Sequence, residues 1–268
     1  PEDKKGSYRD IISRFKSSGW IFSGPSQQTR YLYQVPKDLK ERFRDHMGED
    51  IRERIVLSGD PEIYRDEGDM SVRDLFLLLR YVKDNEPELN LEGALYKRYQ
   101  QGLMNALHVP EPLLTKGGWT FGYGRAFEHY PPRLALLYDY ARYRRWIAED
   151  STHLKLTLSG TLVLEEGKCE SLMQLYSFWL RLYKGAIPNL PSLIYWISLC
   201  TREWVTVASL EKAMGWLIKP FYYDDASSIL EKRVLRMMLN LGLLRLGETP
   251  EGLVVKVTPW GIEAARLK

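Results

Sequence analysis

Apolar side chains recur along this chain at two spacings, and the spacing changes in the same order more than once. Tyr8, Ile11, Ile12 and Phe15 fall at helical intervals, and Gly19 ends that run. Trp20-Ile21-Phe22 and Arg30-Tyr31-Leu32-Tyr33-Gln34-Val35 then flank a polar turn in which Gly24, Pro25 and Ser26 supply the bend. Pro36 opens a second helix, where its missing N–H is harmless. A new series begins at Ser71, a suitable N-cap, with the stripe Val72, Leu75, Phe76, Leu79 and Val82, and Pro87 ends it. Leu91, Leu95, Tyr99, Leu103 and Leu107 predict a second helix, weakened by Gly93 and Gly102. Pro131 and Pro132 open a third, with Leu134, Leu137, Tyr138 and Ala141 on its core face. Leu154, Leu156 and Leu158 alternate with Lys155 and Thr157, which is strand period. Ser159-Gly160 is expected to turn the chain and Leu162-Val163-Leu164 to return it.

The last series is the clearest. Ser192 caps a helix through Leu199, Trp204-Val205 is a short extended piece, and Ala208 to Trp216 is a second helix. Asp224 and Asp225 sit at the positive end of a third, whose buried stripe is Ile229, Leu230, Val234, Leu235, Met238 and Leu239. Gly242 stands where a C-cap belongs. Leu243 to Leu246 and Leu253 to Val257 read as strands joined by a wing from Gly247 to Gly252, and a last helix starts at Trp260.

Helix, helix, helix, ribbon is the order of a winged helix. The expected fold is therefore mainly α with small antiparallel β ribbons, an α+β chain of tandem winged-helix modules. Residues 1–50 are read as a partial winged helix whose first helices would precede Pro1, and residues 51–70 as a solvated, charged linker. Residues 71–167 are read as a winged-helix-like domain. Residues 168–268 are read as an aromatic-rich linker helix (Leu172, Leu175, Tyr176, Trp179, Leu182, Tyr183) followed by a C-terminal winged helix.

Composition adds little to this picture. Hydrophobic residues make up 44% and charged residues 27% of the 268, as in an ordered globular chain. The net charge of +3 permits a local basic face without demanding a nucleic-acid partner. Cys169 and Cys200 lie in apolar helical text and are expected to be buried free thiols, consistent with a reducing, cytoplasmic setting. No run approaches the ~18 apolar residues of a membrane span, so no membrane partner is expected.

Catalytic and cofactor signatures are missing. Gly117-Gly118-Trp119-Thr120-Phe121-Gly122-Tyr123-Gly124 has glycines but neither the lysine nor the preceding strand of a phosphate loop; it reads as a braced aromatic loop, with a base-stacking platform as the alternative. Asp60, Glu62, Asp66, Glu67 and Asp69 fail the spacing of a calcium loop. His46, His108, His129 and His153 are isolated, so no metal is expected. Glu165-Glu166 and Asp224-Asp225 are sequence neighbours that point apart, unlike an acid/base dyad.

Two basic sets remain. Arg133, Arg142, Arg144, Arg145 and Lys155 cluster around the third helix and strand of the middle series, interleaved with Tyr140 and Tyr143. Lys232 and Arg236 lie four apart on the last series' third helix, with Ser228 and Asn240 on the same line and Glu231 beside them. Such side chains meet phosphates and base edges; salt bridges to the acidic linker are the main alternative for the first set, and a plain solvated face, which Glu231 supports, is the alternative for the second.

Leu241-Gly242-Leu243-Leu244-Arg245-Leu246 followed by Val257-Thr258-Pro259-Trp260-Gly261 resembles the helix end, wing and return strand of winged-helix regulators. Tyr31 to Leu39, Leu156-Thr157-Leu158-Ser159-Gly160-Thr161-Leu162, and Phe221 to Asp225 with Arg233-Val234-Leu235 resemble the winged-helix regions attached to bacterial helicases of the XPB type. The likeness spans roughly residues 20 to 265 through short motifs, and the chain holds no helicase motor. What it implies is a non-catalytic, nucleic-acid-binding accessory module, with DNA and a helicase or other protein as partners. A protein-interaction scaffold is the alternative.

Overall fold

The computed structural model describes residues 8–28, 32–114, 123–167 and 170–266. It has mixed architecture, mostly helical with small antiparallel sheets, and divides after Glu53 into two compact units. The first unit holds α1 (Tyr8–Ser17), a ribbon of β1 (Phe22–Ser23) and β2 (Tyr33–Gln34), and α2 (Lys37–Arg52). Phe22 pairs with Gln34, and Pro36 stands at the N-cap of α2.

The second unit, residues 54–268, begins with β3 (Tyr64–Arg65) and then runs through two successive series. The first comprises α3 (Met70–Asn85), α4 (Lys97–Ala106), α5 (Pro132–Tyr143), the ribbon β4 (Ile147–Glu149) and β5 (Leu154–Leu156), and α6 (Leu158–Glu166). After α7 (Leu172–Tyr183) comes the second: α8 (Leu190–Cys200), β6 (Val205–Thr206) and α9 (Val207–Met214). A continuous helical rod follows, made of α10 (Ala226–Ser228), a π-helical segment (Ile229–Leu235) and α11 (Arg236–Asn240). Then β7 (Leu244–Thr249), β8 (Gly252–Val257) and α12 (Pro259–Ala264) close the series. In each series an extended piece before the second helix pairs with the later ribbon strand: Glu88 bridges His153 in one, and Val205 pairs with Val255 in the other.

The corner after the third helix is built alike in both series. Arg145 and Gly242 adopt left-handed φ of 58° and 68°. The next residue returns its N–H five residues back, Trp146 to Ala141 O at 2.9 Å and Leu243 to Met238 O at 2.7 Å. A threonine then locks the corner: the Thr157 hydroxyl donates to Arg145 O at 2.6 Å, and that of Thr258 to Gly242 O at 2.7 Å. The same oxygens accept from Gly160 N and Gly261 N and so cap α6 and α12. The first unit shows the beginning of this corner, with Gly19 at φ 71° and Trp20 N–H reaching Phe15 O at 2.9 Å.

Three expectations are corrected. Leu162-Val163-Leu164 is helix, within α6, and not a returning strand; the Thr157 cap starts a helix there, and the ribbon partner of β5 is β4, before it. Leu91 and Leu95 precede α4, which starts at Lys97, because Leu89 and Leu95 bridge around a turn in which Asn90 Oδ1 accepts the N–H groups of Glu92 and Ala94. Residues 51–70 are not simply a solvated linker. Val56 to Ser58 hydrogen-bond to one outer strand of the four-stranded sheet, ordered β3-β7-β8-β6, while β3 pairs with β7 on the other side. Between them Pro61 lies so close to Gly247 that an added Cβ there would meet its Cγ at 2.5 Å. Both sides of the β7–β8 hairpin are thereby covered, the usual protection against edge-to-edge pairing.

The core of this unit includes α5, enclosed from Arg133 to Ala141, and the rod's stripe Ile229, Leu230, Val234, Leu235, Met238 and Leu239. Cys200 is buried, as its apolar setting predicts; Cys169 lies outside the described residues. Truncating Leu235 to alanine should cost ~2–5 kcal/mol, whereas Lys232→Ala, on the exposed side of the rod, should cost under ~0.5 kcal/mol. Equal losses in chemical denaturation would reverse the assignment of the two faces.

Candidate nucleic-acid interface

The C-terminal end of α5 gathers three of the basic residues. Arg142 is half-buried, and its Nη1 lies 3.3 Å from Glu149 Oε1 on β4. Glu149 also accepts from the Tyr138 hydroxyl at 3.1 Å and faces Arg125 at 3.4 Å. Arg144 pairs with Glu170, donates to the Tyr140 hydroxyl at 3.0 Å and lies 4.8 Å over the Trp146 ring. Arg145 is exposed at the left-handed corner. Lys155, on β5 opposite Ala148, pairs with Asp150 at 3.0 Å.

Asp150 anchors the ribbon turn. The backbone N–H groups of Thr152 and His153, with Lys155, hold its carboxyl well below the usual carboxylate range. The hydrogen bond to Asp150 in turn raises the Lys155 ammonium. Burial pushes the Tyr140 and Tyr138 phenols up, so both stay protonated as hydrogen-bonding groups. Tyr143, interleaved with these cations, lies 5.2 Å from Phe178, and its hydroxyl accepts from Arg181 Nη1 at 2.6 Å.

Arg133 is not part of this surface. Its side chain is 1% exposed and ion-paired with Asp74 and Glu67, so it holds the core together and meets no solvent-side partner. Its backbone N–H and that of Leu134 donate to Glu111, whose carboxyl is raised by burial despite those bonds. Sequence reasoning missed these carboxylate partners because they lie 59 and 66 residues away. One signal was available: Arg133 is four residues before Leu137 on a helix apolar on nearly every side, the mark of an enclosed helix.

On the rod, Lys232 and Arg236 are exposed, as is Glu231. Asn240 does not share that face; it is buried, and its carbonyl accepts from the Ser71 hydroxyl. Arg233, beside Lys232, turns inward to Asp224 at 2.8 Å and lies 4.6 Å over the Phe127 ring. The tip between β7 and β8 is acidic, with Glu248 and Glu251 exposed. The glycine-aromatic loop falls largely on residues 115–122, outside the described residues. Among the described residues no cluster of His, Cys, Asp and Glu could hold a metal ion, and no helix is long and apolar enough to cross a membrane.

Comparison of the chain with protein-family profiles, with characterised proteins and with solved structures finds no match in any of the three.

Proposed function

We propose that this chain is a non-catalytic nucleic-acid-binding module made of winged-helix units, which positions DNA for a separate motor such as a helicase. The observation that carries this reading is the doubled series, helix, extended piece, helix, helix, ribbon, with one hydrogen-bonded corner in both copies and cations crowded on that corner in the first. The enclosure of α5 sharpens it. The face of that helix cannot enter a groove, so this unit meets DNA through its helix end and ribbon. Contacts of that kind go to phosphates and are independent of sequence.

Arg142, Arg144, Arg145 and Lys155 carry the larger share in this reading, and Lys232 with Arg236 the smaller. Three of the first four have carboxylate partners: the Lys155–Asp150 pair is exposed and contributes little, whereas Glu149 and Glu170, the partners of Arg142 and Arg144, are 17% and 10% exposed and hold those arginines more firmly. The second set stands beside Glu231, which repels phosphate.

Titration with single-stranded, duplex and forked DNA at two salt concentrations tests the reading. The variant Arg142→Gln, Arg144→Gln, Arg145→Gln should bind roughly a hundredfold or more weakly at ~50 mM salt and lose ~3 units of salt slope while remaining folded. Lys232→Ala with Arg236→Ala should lose less. If the second variant alone loses binding, the rod is the contact and the helix end with its ribbon is not. A protein-interaction scaffold is the second reading. It is favoured by Leu158 and Leu162, 88% and 56% exposed and four residues apart on α6. Absence of DNA binding by the wild type at low salt would select it.

A further inference from the structure

We infer that Arg145 is kept in its left-handed corner because its guanidinium contacts a nucleic-acid phosphate; this rests on the nucleic-acid reading above and singles out one residue as its anchor. Among the described residues three helices end in the same way, with a left-handed residue whose N–H reaches back three residues, to Lys16, Arg142 and Leu239 carbonyls respectively, and a following residue whose N–H reaches back five, to Phe15, Ala141 and Met238 carbonyls; Gly167, also left-handed, ends α6 with the three-residue bond. Two of the three left-handed residues are glycine, Gly19 and Gly242, which adopt this conformation without penalty. The third is Arg145, and an L side chain there is strained.

The corner cannot relax. The Arg145 carbonyl is held from two sides, by the Thr157 hydroxyl at 2.6 Å and the Ser159 hydroxyl at 2.8 Å. Its own N–H is fixed to Arg142 O at 2.9 Å. Strain that the surroundings over-determine is characteristic of functional positions. Two other side-chain residues, Glu86 and Tyr222, also have positive φ, but neither stands at one of the three repeated corners.

The side chain does nothing for the fold that would repay this strain. Arg142, Arg144 and Lys155 each pair with a carboxylate, whereas Arg145 has no ion pair among the described residues and projects into solvent. An exposed arginine without an ion pair among the described residues, flanked by Arg142 and Arg144, suits the forked geometry of a phosphate. A phosphodiester backbone, with its regularly spaced anions, is the ligand this arrangement fits.

Stability and binding should therefore move in opposite directions. Arg145→Gly is expected to favour the folded state by about fivefold in the folding equilibrium, read as a higher urea midpoint. The same variant should bind a fluorescently labelled mixed-sequence duplex about tenfold more weakly at ~50 mM salt, with a salt slope smaller by ~0.9. Arg145→Lys keeps both the charge and the strain, so its midpoint should match the wild type and its affinity stay within about threefold. A more stable Arg145→Gly that binds as the wild type does overturns the inference; the nucleic-acid reading survives if Arg142→Gln with Arg144→Gln still loses affinity. A less stable Arg145→Gly shows that the corner is not strained, and overturns the inference as well. A wild type that fails to bind at low salt overturns both together.

Discussion

Replacing Arg133 with alanine is expected to cost about 3–5 kcal/mol, although the residue reads in the sequence like one more member of a basic patch. Its guanidinium fork spans the core of the second unit. Nε and Nη2 donate to Asp74 Oδ2 at 3.1 and 2.8 Å, and Nη1 donates to Glu67. Asp74 and Glu67 are themselves 0% and 4% exposed. Asp74 also accepts from the backbone N–H of His108 at 2.8 Å, and so holds the segment after α4. Alanine would leave Asp74 in the interior with no arginine beside it, and Glu67 with Arg65 alone. Lysine would restore the charge but not the fork, since one ammonium cannot reproduce donors aimed at two carboxylates. The instructive companion is Arg133→Met with Glu67→Gln and Asp74→Asn. Removing the charges together should recover part of the loss, because the single change is costly mainly through the ions it strands. Urea unfolding of the three proteins checks this. A loss below ~1 kcal/mol for Arg133→Ala would mean that water reaches the carboxylates.

Gly160→Ala and Gly261→Ala should each cost about 3 kcal/mol or more, by one mechanism acting in two places. A Cβ on Gly160 would meet Trp146 O at 2.1 Å, and one on Gly261 would meet Leu243 O at 2.0 Å. Neither oxygen can retreat. Each accepts the N–H of the capping threonine, Thr157 at 2.9 Å and Thr258 at 3.0 Å, so moving the carbonyl breaks the corner that starts the following helix. Gly185→Ala is the control, with no atom within 4 Å of the added carbon. Thermal or urea unfolding should rank the two corner variants together and well apart from the control. A mild effect at either corner would show that the two are not built to the same tolerance.

The second series was legible because its signals agree: the stripe on the rod, Gly242 at the helix end, and period-two strands around a short wing. The first series was legible up to Leu156 and then misread. Alternation continues past the strand, through Leu158, so period alone carries the eye onward; the deciding residue is Thr157, whose hydroxyl caps a helix. The acidic stretch before α3 shows a different limit. Composition reveals that Asp66 and Glu67 are charged but not that Arg245 and Arg133 wait for them 179 and 66 residues away. The basic patch was half legible for the same reason. Its cations were found, but the carboxylates that occupy most of them, and the strain at Arg145, exist only in three dimensions.

The segment that covers both sides of the β7–β8 hairpin is synthesised long before the strands it covers. Ser58 and Glu251, which a hydrogen bond joins, are 193 residues apart. Closing a loop of that length costs entropy before any contact repays it, and such pairings form late. On the ribosome this stretch must therefore remain unpaired until nearly the whole second unit has emerged, and during that interval the second unit has no finished sheet to protect. The order of synthesis thus sets the order of folding: the clasp is made first and fastens last.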